Sequence, residues 1–281
     1  IFLYCKQTVA NDLWTIDKDI SSIEFEVPVL FAKNVTGKFN IFDANKNINI
    51  AKKYIKNGDI FQVVPSQRFE TKYTGSVLKL YQALRKTNPS PFMYYFNFPR
   101  FKIVGSSPEI LVRLRNKKIT IRPIAGTRPR GKTKKLDNKY AEDLLKDKKE
   151  IAEHLMLLDL GRNDIGRVAN KSSVKVTSEF EIERYSHVMH IVSNVEGKVS
   201  SDKTAFEALM AGFPAGTVSG APKIRAMQII DELENTKRGI YAGGIGYITS
   251  DGEMDTCIAL RTGIISNDTL FVQAGGGVVY D

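Results

Sequence analysis

Apolar residues return along this chain with two different periods, and the switches between them mark out its elements. Ile48, Ala51, Tyr54 and Ile55 recur at helical spacing and stop before Gly58, a residue typical of the position just past a helix end, so a short helix is predicted there. Ile60 to Thr71 mixes β-branched and aromatic residues with polar ones. Phe92 to Phe98, Lys102 to Ser106, Ile110 to Arg115 and Ile119 to Ile124 follow as strand-length segments separated by Pro, Gly or Asn. Between the first two strands, Val77, Leu80, Tyr81 and Leu84 mark a helix closed by Asn88-Pro89, because proline drives its predecessor out of the helical region. From Asp137 to Val168 the period is helical again, with Leu144, Ile151, Leu155 and Leu158 assigned to one face. Val188 to Val199 reads as a strand, and Thr204 to Ala211 and a segment with Pro222 in its first turn read as helices. The stretch from Gly239 to Tyr280 reads as three strand-like pieces split by Asp251-Gly252 and Asn267-Asp268. Strands in succession without intervening helices favour antiparallel pairing, so the pattern as a whole predicts an α+β chain with helices grouped outside large antiparallel sheets.

Length and composition narrow this picture. At roughly 150 residues per domain, 281 residues make about two domains or one large sheet-rich one. With 42% hydrophobic and 26% charged residues the chain is outside the regime of disorder. No uninterrupted apolar stretch approaches the roughly 18 residues of a membrane helix, and Ile1 to Lys6 lack the basic-then-apolar order of a secretory signal. Two cysteines, Cys5 and Cys257, make neither a disulfide framework nor a zinc site unaided, so a soluble chain in a reducing, cytoplasmic setting is expected. The charge, 41 basic against 31 acidic residues, raises the question of an anionic partner such as nucleic acid. The lysines are scattered, however, and only Arg122 to Lys135 concentrates them, which reads as a solvated loop.

Several motifs carry candidate chemistry. Gly126-Thr-Arg-Pro-Arg-Gly131-Lys132-Thr133 matches the phosphate-loop spacing, but the following Lys134 to Lys139 lack the apolar residues that a docked phosphate-binding helix needs. Of three histidines, His187 and His190 stand three apart on a predicted strand and so face opposite ways, too far apart in direction to grip one ion easily. His190 shares a face with Val188 and Val192 and is either a core histidine or a proton carrier at a cavity. Glycines cluster at Gly212, Gly216 and Gly220, at Gly243, Gly244 and Gly246, and at Gly275 to Gly277, where backbone N–H groups can approach an anion or simply make turns. Arg261, on a predicted strand, and Lys223, at a helix start, would add positive charge beside them. Glu109, Glu153 and Asp159 are candidates to hold a divalent cation or move a proton.

These segments together carry a family resemblance. Gly58 to Phe69, Ser107-Pro-Glu109, Pro123-Ile-Ala-Gly-Thr127, Asp159-Leu-Gly-Arg-Asn-Asp164, Tyr185 to His190, Gly216 to Lys223, Asp255 to Arg261 and Gln273 to Gly277 resemble, in order, the motifs of the chorismate-utilising enzymes, and within that family anthranilate synthase component I best. The phosphate-loop match then overlaps the stretch Pro123 to Gly131, which resembles the family's Pro-Ile-Ala-Gly-Thr motif.

The resemblance implies an α/β sandwich of large antiparallel sheets flanked by helices, and a lyase that converts chorismate and ammonia to anthranilate and pyruvate in tryptophan biosynthesis. It implies magnesium as cofactor, and as partner a glutamine amidotransferase (glutaminase) subunit supplying ammonia. No nucleic-acid or membrane partner is implied. By matching positions, Glu109 is the acid and His190 the group of the elimination step. Glu153 is a magnesium ligand, and Gly126, Thr127, Thr217, Tyr241, Tyr247, Arg261, Gly275 and Gly277 line the chorismate pocket. Pro91, Phe92 and Met93 match part of a tryptophan feedback site. Gln62 and Ala125 separate activities: a lysine replaces Gln62 in isochorismate-forming relatives, where water must be activated, and a lysine replaces Ala125 in many aminodeoxychorismate synthases. The organisation expected is a remnant of an N-terminal region over 1–45 and a chorismate-binding catalytic domain over 46–281. That domain is read as C-terminally incomplete, since the family continues into a helix with another magnesium ligand. The alternatives are an aminodeoxychorismate synthase component I and, from a different class, a basic RNA-binding or scaffold protein in which Glu109, Glu153 and His190 share no cavity.

Overall fold

Local sequence sets most of the element ends in the computed structural model, which describes residues 2–4, 41–185 and 187–280. In chain order the elements are β1 (Phe2–Tyr4), α1 (Ile41–Lys56), β2 (Gln62–Val63), β3 (Ser66–Lys72), α2 (Val77–Thr87), β4 (Phe92–Asn97), β5 (Lys102–Ser107), β6 (Ile110–Arg115), β7 (Lys118–Ile121) and β8 (Ile124–Pro129). They continue with α3 (Lys134–Lys146), α4 (Lys148–Gly166), β9 (Lys175–Arg184), β10 (Val188–Lys198), α5 (Ala205–Gly212), α6 (Gly216–Ser219), β11 (Gly220–Ala221) and α7 (Lys223–Leu233). The last four are β12 (Gly244–Ile248), β13 (Met254–Ile258), β14 (Thr262–Ser266) and β15 (Thr269–Gly275). Helix starts are capped by side chains: Ser76 accepts from Lys79 N, Thr133 from Leu136 N, and Thr204 and Glu207 form a reciprocal capping box.

The strands build two large sheets. One runs β1-β12-β13-β6-β7-β10-β8, with β9 also on β10; the other runs β3-β15-β14-β5-β4; β11 and β2 make a small ladder. All these pairs are antiparallel except β1 with β12. The main core lies between the first sheet and helices α4 and α5, where Val112, Ile119, Val195 and Met254 meet Leu158, Ile165 and Leu209. A second core joins α1, α7 and β2 through Ala51, Ile229 and Val63. The α+β architecture read from the sequence is the one observed.

Several boundaries differ, each for a local reason. Ile119 to Ile124 is not one strand, because Arg122-Pro123 ends β7 and lets β8 start a new line. The basic run is no solvated loop: it forms β8 and the start of α3. Arg128 donates to Asp143 and Asp147 at 2.8 Å each, and Arg130 to Asp137 at 2.8 Å. Asp147 splits the long helical stretch by capping α4, accepting from Lys149 N and Glu150 N. Within α4 the buried face runs through His154, Leu157, Leu158, Gly161 and Ile165, which turns Leu155 outward, 54% exposed. Strand β9 is one the sequence reading did not include, although Val176, Phe180 and Ile182 alternate with charged neighbours. The C-terminal stretch holds four strands, not three, because β13 and β14 part at Ala259 to Arg261 and join different sheets. Pro222 caps α7 from outside rather than sitting in its first turn.

Candidate functional site

The site begins where β6 begins. Glu109 precedes Ile110, its carbonyl accepting from Ile258 N at 3.0 Å, so the acid is pinned between the starts of β6 and the end of β13. Its side chain is 7% exposed and Oε1 accepts from Thr217 Oγ1 of α6 at 2.9 Å. Burial pushes the Glu109 carboxyl up to about 8, against the opposing pull of the Thr217 hydroxyl, so at neutral pH it carries a proton. Arg261 follows Ile258 by three residues. It was expected on a strand, but it lies in the turn between β13 and β14 with φ +49.

His190 comes from β10 opposite β8, at a bulge. Thr127 pairs with His190 and Ala125 with Ile191, leaving Gly126 as the extra residue, in the left-handed region at φ +68. The bulge turns the Gly126 carbonyl onto His190 Nδ1 at 2.9 Å, with Thr127 Oγ1 at 3.1 Å. A carbonyl only accepts, so Nδ1 carries the hydrogen and Nε2 keeps its lone pair. Burial lowers the His190 pKa, the Gly126 carbonyl opposes that, and Arg261 lowers it further, which keeps the imidazole neutral. Tyr185 sets its ring edge-on to His190, centroids 5.5 Å apart, and donates to Glu183 at 2.8 Å. Burial and the bond to Glu183 raise the Tyr185 pKa, with Glu109 a lesser contributor.

The rim closes through α4. A Cβ built on Gly126 would meet Glu150 Oε2 at 3.2 Å, and Glu150 lies one turn from Glu153. Burial and then the Glu153 charge raise the Glu150 pKa, the mark of two carboxylates held close together. Glu153 Oε1 accepts from Gln62 Nε2 at 2.8 Å, which leaves Gln62 Oε1 buried without a hydrogen-bond partner. Gly277 packs on that carboxamide, where a Cβ would come within 2.8 Å of Nε2. The Tyr241 hydroxyl receives the Gly275 N–H, and Ala125 is buried in β8 behind the bulge.

The contacts join Gln62, Glu153 and Gly277 in one group, Glu150, Gly126, Thr127 and His190 in another, Glu109 with Thr217, and Tyr241 with Gly275, while Arg261 lies within the field of His190 and Ala125 is buried in β8. The scaffold alternative, which needed Glu109, Glu153 and His190 apart, is not favoured by these contacts. Tyr247 is not brought in: it stands on β12 opposite Asp255 and accepts from Arg115 at 2.6 Å. Pro91, Phe92 and Met93 open β4, with Phe92 paired to Ser107 and Met93 to Ser106 on the strand that leads to Glu109. Lys223 adds no free charge beside the glycines, since it donates to Asp164 at 2.6 Å. Asp159 faces outward and pairs with Arg162 at 3.2 Å. In the phosphate-loop match the Gly131 N–H is taken by Asp137 at 2.8 Å, although a helix does follow. His154 is the core histidine, fully buried against Ser193 Oγ at 2.6 Å and lowered to about 4 by burial. Cys5 lies outside the described residues. Sequence reasoning gave no role to Glu150, although its i, i+3 relation to Glu153 on a helix was a usable signal.

Two facing carboxylates on α4 offer hard oxygen donors of the kind magnesium takes, one or two from protein with the rest from substrate and water. Among the described residues no group of three or more acidic, His or Cys side chains forms a fuller cage.

The antiparallel α+β sandwich thus carries a buried protonated acid, a neutral imidazole and a pair of neighbouring carboxylates. The chain belongs to the chorismate binding enzymes, whose family it matches over residues 38–281. It is 64% identical over 231 residues to anthranilate synthase component 1 of Cereibacter sphaeroides, covering 82% of this chain and 46% of that one. To the protein of the same name from Aquifex aeolicus it is 56% identical over 249 residues, covering 89% and 50%. The crystal structure of anthranilate synthase component I from Streptococcus pneumoniae superposes with TM-score 0.83 at 43% identity, over 98% of this chain and 62% of that one. The chain spans about half the length of the curated relatives it matches.

Proposed function

We propose that the protein containing this chain is an anthranilate synthase component, a lyase that turns chorismate and ammonia into anthranilate and pyruvate. The observation that carries the reading is Glu109, a carboxyl kept protonated by burial and held by Thr217, with the neutral imidazole of His190 as the second group of the reaction. Ammonia adds at ring carbon 2 as the carbon 4 hydroxyl departs, and hydroxide leaves poorly unless an acid protonates it, which Glu109 does. His190 Nε2 then takes the proton from carbon 2 of the aminated intermediate as the enolpyruvyl group leaves. Arg261 and the backbone at Gly275 and Gly277 bind the carboxylates of the substrate. Glu150 and Glu153 would hold magnesium, which when bound neutralises carboxylate charge on the ring. Gln62, neutral and already bonded to Glu153, offers no base for water, which favours ammonia as nucleophile. A separate glutaminase component is the proposed ammonia source, the cytoplasm the proposed setting, and Pro91 to Met93 a part of a tryptophan feedback site. The test is full-length protein with chorismate, magnesium and ammonium, followed by product identification. 2-Aminobenzoate with pyruvate is expected; 4-amino-4-deoxychorismate as sole product would overturn the reading.

A further inference from the structure

Glu109 borders a cavity of about 30 Å³, whose wall includes Arg122, Asp164 and Thr217 among aliphatic residues but none of His190, Gly126, Arg261 or Gly275. That volume admits one or two water molecules, and the wall supplies the polar partners a buried water needs. At Asp164 the cavity meets a buried ion pair that the reaction as described does not use. Lys223 Nζ donates to Asp164 Oδ2 at 2.6 Å and to the Gly212 carbonyl at 3.1 Å, with the two side chains 10% and 9% exposed. A buried pair of this kind is poor value for stability, because desolvation offsets most of its attraction.

We infer that the cavity holds water and, with the Asp164–Lys223 pair at its end, returns a proton to Glu109 after each turnover. The inference rests on the reading of Glu109 as general acid. Once Glu109 has protonated the departing hydroxyl, which leaves as water, its carboxylate faces a cleft covered by substrate. The cavity water then gives Glu109 a proton while taking one from the Asp164 carboxyl. Asp164 receives its own proton from the Lys223 ammonium, and Lys223 regains one from solvent. Only protons move, and the charges balance at each transfer. Burial pushes Asp164 up and Lys223 down, bringing the neutral form of the pair within reach. The other charged groups on this space are Arg122, paired with Glu183, and Arg167, which acts on both members of the pair, while Tyr185 lies within the field of Glu109.

The test uses the full-length protein with chorismate, magnesium and ammonium. Asp164→Asn keeps the shape and removes the relay, so kcat should fall by about 10-fold or more, with chorismate KM within about twofold and a larger solvent deuterium isotope effect on kcat. Gly161→Ala supplies a variant that folds. Gly161 lines the same cavity in α4, and a Cβ there would meet Ile121 Cγ2 at 3.5 Å, an ordinary contact. The added methyl takes up space for water, so kcat should fall without a lower melting temperature. A crystal structure should show ordered water within hydrogen-bond distance of both carboxylates. Normal kcat in both variants, a dry cavity, or a kcat loss that tracks melting temperature with an unchanged isotope effect would each overturn the relay. A parent protein that leaves chorismate untouched defeats the reading of function instead, and the presence or absence of the water then decides the relay.

Discussion

Glu109 carries its chemistry at the expense of its own stability, which makes its role measurable in two independent ways. Its pKa in the folded chain is about 8 against 4.5 for the free group, so the folded state keeps a proton that the unfolded state releases between those values. Stability is thus lost as pH rises from about 4.5 to about 8, by an amount on the order of a few kcal/mol. Glu109→Gln should melt higher than the parent at pH 8 and alike near pH 4.5, while turnover drops by roughly 10²- to 10⁴-fold. In the parent, turnover should decline above about pH 8 as the acid ionises, and a residual activity of the variant should show no such limb. Equal turnover in both would exclude the role. His190 is tested by what accumulates. His190→Met should leave amination running and build up the aminated intermediate, because only the second step loses its base. An early-melting variant with no intermediate would make it a core histidine. The sequence alone left those two readings of His190 open, since strand periodicity assigns a face and not a hydrogen bond. The Gly126 carbonyl on Nδ1 decides the tautomer, and it exists only in the folded bulge.

At the scale of elements, the bulge in β8 is the device that aims the imidazole, and Gly126 is its weak point. At φ +68 an L side chain is strained by about 1–2 kcal/mol. A Cβ would in addition press on Leu144 Cδ1 at 3.1 Å, Glu150 Oε2 at 3.2 Å and Ile191 Cδ1 at 3.2 Å. Gly126→Ala should therefore lower the melting temperature by several degrees and, by shifting the carbonyl that orients His190, slow the second step more than the first. Unchanged melting and product ratio would mean that the bulge is dispensable. Element types were largely legible because strands such as β6 and β10 alternate clearly and helices such as α2 have caps and stops in the sequence. Boundaries failed where a single residue settled the matter. Asp147 as a cap, Pro123 as a break and the Arg128–Asp147 bond that fixes β8 against α4 are cases in point. Residue types alone singled out Glu109, Glu153, His190, Arg261 and the glycine clusters as candidates, and motif resemblance assigned their roles; Glu150 has no signal apart from its place beside Glu153.

For the whole molecule, the decisive feature is one the strand pattern hid: the chain leaves the larger sheet at Ile258 and enters the second sheet at Thr262, so both sheets meet at Arg261. The stretch from Met254 to Ser266, with Thr256, Ile258, Thr262, Ile264 and Ile265 and no Pro or Asn to break it, looks like one strand, because either sheet buries the same residue types. The crossing places Arg261 within the field of His190, in a left-handed conformation at φ +49 that glycine adopts more easily. Fold and function thus pull on this residue in opposite directions. Arg261→Gly should leave stability within about 1 kcal/mol of the parent or slightly above it, since relief of strain is offset by the greater freedom of glycine in the unfolded chain. In the proposed function the same change removes the charge-assisted contact of Arg261 to a substrate carboxylate, about 1.5–3 kcal/mol, so chorismate KM should rise by roughly 10- to 100-fold. It also lifts a positive charge from His190, whose pKa should move upward, shifting the acid limb of the elimination step to higher pH. Arg261→Lys keeps the charge and the strain, and should restore the position of that limb while recovering only part of the binding. Melting curves and pH profiles of the two variants decide the matter: a glycine variant that unfolds early while binding chorismate normally would make Arg261 a structural joint between the sheets and nothing more.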